Sequence, residues 1–289
     1  MDGGILDAHR GPGRFGPAYA HMFEHDVHAA GSVDRWLLGR MVWLCAETAP
    51  HLYAAPASGH SAYGAGTRPA LEALLPPRLG VAGEGAKVRG VVMACARIVR
   101  AAEAAGPRAL DDLRFGGPEE AIAARGSDWC TDVARVACRL CQVAGLPARL
   151  VFLADTGAAY SGHAIIEAWR DGRWGAIDAL TGVIYEEAGG RPIGTWDLMN
   201  DPELVGRHRR GADTPYTAAD QFRAAGIAEY PWDAPGTHEV TGLGPYGRSI
   251  LEMAERGWPG RLRWLHGEDR PAAAEPAGRH PEASPTSAR

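Results

Sequence analysis

Two apolar-rich runs, HAIIEAW (163–169) and RWGAIDA (173–179), flank the dipeptide Asp171-Gly172. That dipeptide is a strong signal for a two-residue hairpin, because both turn positions need positive φ and Asp and Gly tolerate it. The turn fixes the register of two antiparallel strands. Arg170 then faces Arg173, Ile165 faces Asp178, and His163 lies opposite Leu180. Directly opposed residues share a face, so His163 and Asp178 become diagonal neighbours, about 7–8 Å apart at the backbone and within side-chain reach. A three-residue loop would shift the register and dissolve the pair. The other face carries Ala164, Ile166, Ala168, Ile177 and Ala179, a packed-core set. The hairpin is therefore expected to be half buried and half functional.

The stretch GSDWCTDVAR (126–135) places Cys130 where a helix begins, with Ser127 or Asp128 as its expected N-cap. Val133, Val136, Ala137, Leu140, Cys141 and Ala144 recur at three- and four-residue spacing over 129–144, and Gly145-Leu146-Pro147 ends the helix. In a first helical turn, free N–H groups and the macrodipole favour an anion, which enriches a thiolate. An imidazole beside the sulfur lowers the thiol pKa further, and a carboxylate behind it fixes the tautomer. Cys130, His163 and Asp178 are thus the parts of a thiol acyl-transfer device, with the Cys130 N–H as one oxyanion donor. Asp155 and Asp171 are alternative carboxylates, better explained by loop and turn chemistry. Taken singly, a cysteine or a strand histidine is more often a core residue.

The rest of the chain sets limits. Helices are expected over 17–30, over 33–49 from the cap Ser32, over 86–105, and over 118–124. ARLVFLA (148–154) reads as a buried strand. After 190 the pattern is read as helix and loop, with Thr195 capping WDLMNDPELV, Thr217 capping AADQFRAAGIAEY, and a last helix at 247–256. From His266 the proline-punctuated tail is too polar to pack and is expected to be disordered. The net charge of −5 and pI near 6.1 give no basic field for nucleic acid. No leader-like or membrane-spanning run is seen, and five irregularly spaced cysteines argue against a disulfide framework, so a cytoplasmic location is expected.

The runs GSDWCTDVARVACRLCQVAGLPARLV and GHAIIEAWRDGRWGAIDALTGVIY resemble the transglutaminase-like superfamily, whose fold is papain-like. The resemblance covers roughly 60 residues, and it departs where many relatives follow the aspartate with proline and Ala179 stands here. It implies an α+β fold, with Cys130 as nucleophile, His163 as base and Asp178 as orienting acid. The organisation it suggests is a mainly helical segment over 1–84, a catalytic core over 85–190, a helical and loop extension over 191–265, and a tail over 266–289. The implied chemistry is acyl transfer or hydrolysis at an amide or ester through a thioester, with no metal or organic cofactor. The expected substrate is a peptide or small molecule, free or carrier-bound, in a bacterial cytoplasmic setting.

Competing readings are concrete. A non-catalytic module keeping the fold is one. A zinc hydrolase at His21, Glu24 and His25, within HMFEHDVH, is another, because these residues satisfy the inverted H-x-x-E-H pattern. Cys138 and Cys141 form C-x-x-C inside a helix without further ligands and are read as core filling. Glu167 is read as a solvated strand residue. The basic run Arg207-His208-Arg209-Arg210 is read as a solvated helix end.

Overall fold

The computed structural model describes residues 3–11, 35–57, 63–77, 79–106, 114–154, 162–208, 222–234 and 239–241. In chain order these hold α1 (Gly3–Ala8), α2 (Arg35–Arg40), β1 (Val42–Trp43), α3 (Ala49–Leu52), α4 (Pro69–Glu72) and the long α5 (Glu84–Ala104). Then come β2 (Arg114–Gly116), α6 (Glu119–Arg125) and α7 (Cys130–Val143). Four strands follow: β3 (Ala148–Ala154), β4 (Gly162–Arg170), β5 (Arg173–Asp178) and β6 (Val183–Ile184). Last are α8 (Thr195–Asn200), α9 (Pro202–His208), β7 (Ala224–Glu229) and β8 (Glu239–Thr241). The fold is mixed α+β. Six strands form one sheet in the order β1-β7-β3-β4-β5-β6, with antiparallel pairing throughout, and β2 pairs with β8 separately.

The β4–β5 hairpin has the expected register, Arg170 opposite Arg173 and Ile166 opposite Ile177. Asp171 (φ 50°) and Gly172 (φ 74°) supply the two left-handed residues of the turn. One sheet face presents Ala164, Ile166, Ala168, Ile177 and Ala179 to a core shared with α5 and α7. The opposite face is also covered, contrary to a half-open hairpin. Val151, Leu153, Ile165 and Ala176 pack there against Leu198 of α8 and Val205 of α9.

Helix α7 lies against β3, β4 and α5, and every residue from Thr131 to Gln142 is buried. Its end is a left-handed glycine cap. Gly145 (φ 81°) donates to Gln142 O and Leu146 donates to Cys141 O, satisfying two terminal carbonyls. Its buried polar side chains are paired. Glu119 of α6 accepts Arg135 Nη2 at 2.8 Å and Arg68 Nη2 at 2.6 Å, and also takes the Tyr230 hydroxyl. Removing one member of such a set leaves an uncompensated buried charge, so the network holds α6, α7 and the end of β7 in one arrangement.

Several expected elements are different in the structure. The helix read over 33–49 stops at Arg40, and Val42-Trp43 become an edge strand opposite Ile227 and Gly226. The helix read over AADQFRAAGIAEY is not one in the described part. Ala224–Glu229 form β7, inside the sheet between β1 and β3. Alanine favours helix locally, but two neighbouring strands satisfy the β7 backbone, and its small side chains fit between two cores. Ala224 and Ala228 face one, Ala225 and Ile227 the other. The extension after 190 is therefore not only helix and loop, and the sheet draws strands from both sides of 85–190. The segment after Thr195 is split into α8 and α9, and α8 is preceded by Gly194, whose N–H goes to Asp197 Oδ2 at 3.0 Å. The helices read at 17–30 and 247–256, His21, Glu24 and His25, and the tail from 266 lie outside the described residues.

Glycine 126 links this packing to the start of α7. Its backbone (φ 76°, ψ 156°) lies in a region that only glycine enters readily. A Cβ there would meet Ala102 N at 2.8 Å and Ile98 O at 3.0 Å, both backbone atoms of α5. Backbone does not step aside as a flexible side-chain end does. Gly126→Ala is expected to lower unfolding stability by about 3 kcal/mol, read from denaturant midpoints. A variant as stable as the parent would show that the α5 contact is not needed.

Candidate functional site

The four residues before α7 aim Cys130. Helix α7 begins at Cys130 with Trp129 at the N-cap position and no side-chain cap, so neither Ser127 nor Asp128 plays the expected part. Ser127 works one turn away instead. Its Oγ accepts the Trp129 N–H at 3.2 Å and donates to Asp132 Oδ2 at 3.2 Å. Asp132 is fully buried and also accepts the Gly116 N–H (2.9 Å) and Arg125 Nη2 (2.8 Å). Trp129 stacks on Phe115, with ring centroids 5.2 Å apart. The loop entering the helix is thus fixed by three side chains, and Cys130 stands half-buried in the first turn.

The hairpin brings the second group. His163 and Asp178 are buried, and His163 Nε2 lies 2.9 Å from Asp178 Oδ2. The other carboxylate oxygen, Oδ1, accepts the N–H groups of Leu180 (3.1 Å) and Thr181 (3.2 Å). Asp178 is therefore held from behind by the turn that leaves β5. With Nε2 directed to the carboxylate, Nδ1 is the ring nitrogen left to serve Cys130, which interacts with His163. The structure brings Cys130, His163 and Asp178 together, and does so through the predicted register.

Cys130 and His163 each shift the other toward its charged form. Burial raises the Cys130 thiol, but the His163 hydrogen bond and charge, the Ala164 N–H and Thr131 outweigh it and bring the thiol below its ordinary value. Burial works against a charged His163, yet Asp178 and Cys130 push the imidazole up to about 10. Burial opposes an ionised Asp178, and the His163 charge nonetheless lowers its carboxyl. The other buried thiols move the opposite way. Burial lifts Cys95 and Cys138 to about 12, and Cys141 is also well above the ordinary value. Cys138 and Cys141 are fully buried in the core, as read from their helix positions.

Sequence reasoning missed three contributors. The Ala164 amide, on the residue after His163, reaches the Cys130 sulfur. Ser127 and Asp132 clamp the entry loop, and their only sequence signal is a Ser followed five residues later by an Asp at a helix start. Glu167 is not solvated. It is fully buried, accepting Arg149 Nε (2.9 Å), the Tyr53 hydroxyl (2.5 Å) and the Thr195 N–H (2.7 Å). It fastens α8 to the sheet and takes no part in the candidate site. In the basic run, Arg207 pairs with Glu203 at 3.6 Å, whereas His208 Nε2 is turned inward to the Glu186 backbone.

No helix among the described residues is long and apolar enough to cross a membrane. Residues 95–179 match the family model of the transglutaminase-like superfamily, whose members are typically cysteine-based catalysts. The match begins within α5 and ends one residue after Asp178, so it spans Cys130, His163 and Asp178. Comparison with curated proteins and with solved structures gave no match.

Proposed function

We propose, from the match of residues 95–179 to the transglutaminase-like family model, that this protein is a cysteine acyltransferase or hydrolase acting on amide or ester carbonyls. Cys130 is the nucleophile, His163 the proton carrier and Asp178 the group that orients and charges it. The observation that carries this reading is geometric: the half-buried Cys130 thiol opens α7 and interacts with His163, whose Nε2 lies 2.9 Å from Asp178 Oδ2, while Cys95, Cys138 and Cys141 are buried in the core.

In this reading the reaction runs in two halves. The Cys130 thiolate attacks the carbonyl carbon, a C–S bond forms, and the carbonyl electron pair moves to oxygen. The Cys130 N–H, free of an intrahelical acceptor in the first turn, points positive charge at that oxyanion. Collapse breaks the bond to the amine or alcohol, which leaves with the proton from His163, and a thioester remains. Water or an amine then attacks the thioester, His163 takes its proton, and the C–S bond breaks to restore the thiolate. Asp178 keeps the ring proton on Nε2 in the neutral state and balances the imidazolium. Hydrolysis and amide formation share this path and differ in the acceptor. The donor class is a peptide or small-molecule amide or ester, free or carrier-bound.

Alkylation by iodoacetamide, followed by peptide mass mapping over a pH series, tests the reading. The thiolate is present above the lowered thiol pKa, so Cys130 is expected to reach half its maximal rate below the ordinary thiol value. Cys95, Cys138 and Cys141 should stay unreacted in the folded protein. Turnover should also fall on the alkaline side as His163 loses its proton near pH 10. Equal reactivity of all five cysteines, or a Cys130 profile centred at or above an ordinary thiol, would sink the proposal and favour a binding module.

A further inference from the structure

At the far edge of the sheet from Asp178, three other side chains converge. Donor atoms of His9, Cys45 and Glu47 all lie within 4.8 Å of one another. His9 follows α1, and its segment is tied to the edge strand: Trp43 N–H donates to His9 O (2.9 Å) and Gly11 N–H to Met41 O (2.7 Å). Cys45 and Glu47 lie in the turn after β1. That turn is fixed by Thr48, which is fully buried, takes the Cys45 N–H at 3.0 Å and donates to Trp43 O at 2.6 Å. We propose that His9, Cys45 and Glu47 form a binding site for a divalent cation of the zinc class, which clips the N-terminal segment to the edge of the sheet.

The donor set selects the ion. One thiolate, one imidazole and one carboxylate suit zinc, whereas magnesium and calcium take oxygen ligands almost exclusively. The two negative charges of Cys45 and Glu47 neutralise a dication. His9 is already oriented for the task. Its Nδ1 lies 2.9 Å from Ile5 O, so this nitrogen carries the proton and Nε2 offers its lone pair. A backbone carbonyl behind a metal-binding imidazole is a recurrent way of fixing ring and tautomer. Tetrahedral coordination with Zn–S near 2.3 Å and Zn–N near 2.0 Å draws donors to about 3.5 Å apart. The cluster therefore closes by little more than about an ångström on loading. Glu47 is exposed and its carboxylate already interacts with the Cys45 thiol, while His9 and Cys45 are half-buried. Binding replaces the Cys45 thiol proton by the ion, so one proton leaves to solvent.

The test uses the full chain carrying Cys130→Ala, which removes the other thiol–imidazole pair as a competitor for metal. Stripped protein is titrated with Zn²⁺ and, separately, with Co²⁺. One ion per chain is expected, with a thiolate-to-cobalt charge-transfer band in the near ultraviolet and a zinc-dependent rise in Tm. Adding His9→Ala or Cys45→Ser should abolish the band and the Tm rise, while circular dichroism stays that of the parent. Glu47→Gln should keep the band and weaken binding. Absence of a thiolate band under excess Co²⁺, or metal uptake untouched by His9→Ala and Cys45→Ser, would overturn the site.

Discussion

Cys130→Ala is expected to abolish thioester formation and to lower turnover of activated esters by about 10⁴-fold. The loss is one of chemistry, because the fold does not need this sulfur. The thiol is half-buried at the first turn of α7, and the helix is held by its buried positions Thr131 to Gln142 and by the Schellman-type end at Gly145. Alanine favours the helix and fits the space. What disappears is the lowered thiol, together with the covalent intermediate that divides one hard step into two. Cys130→Ser should fail nearly as badly, because a hydroxyl is far harder to ionise than a thiol and the imidazole–carboxylate pair is matched to the latter. The measurement is twofold: intact mass after incubation with a panel of p-nitrophenyl esters, and release of p-nitrophenol. Wild-type protein should gain the acyl mass, and the variants should not. An acyl adduct of equal yield on Cys130→Ala would remove Cys130 from the mechanism.

The features that reached the site from sequence were those with local physical causes. Asp171-Gly172 can make a two-residue turn with both φ values positive, and that fact alone sets Ile166 opposite Ile177 and lets His163 meet Asp178. Gly145-Leu146-Pro147 likewise stops α7 by backbone chemistry within three residues. Features with non-local causes were illegible. AAGIAE is a poor strand by composition, and it becomes β7 because β1 and β3 offer it partners on both edges. Val42 and Trp43 continue a helical apolar pattern and still leave it to pair with β7. Glu167 alternates with apolar residues as a solvated strand residue does. Its burial follows from Arg149 on the next strand and from α8, which arrives about thirty residues later. The same divide runs through the candidate site. The cysteine and the hairpin were visible, while the Ala164 amide and the Ser127–Asp132 clamp depend on how α7 meets β4 and β2.

Asp178→Asn is expected to slow the acyl step by about 10³- to 10⁴-fold, and to do more damage than Asp178→Ala. The reason lies in which atom of residue 178 is already committed. Oδ1 accepts the Leu180 and Thr181 N–H groups, both donors, so an asparagine keeps its oxygen there and turns its NH₂ toward His163. An NH₂ donates, and Nε2 must then accept. The ring proton moves to Nδ1, the nitrogen that has to take the proton of Cys130. Alanine imposes no such tautomer and only withdraws the charge. Both variants lose the carboxylate that holds the imidazole up near 10, so burial wins and His163 becomes harder to protonate. The thiol then loses its counter-ion and rises. The pH window in which thiolate and imidazolium coexist narrows from both ends: the acid limb moves up and the alkaline limb moves down. Pre-steady-state acylation across pH, together with iodoacetamide rates at Cys130, reads both limbs. A purely structural Asp178 would give two variants equally weakened, with unshifted limbs and lower Tm. The ordering of asparagine below alanine in acylation, together with shifted limbs, is the outcome that a proton-orienting carboxylate requires, whatever stability alanine loses at the Leu180 and Thr181 N–H groups.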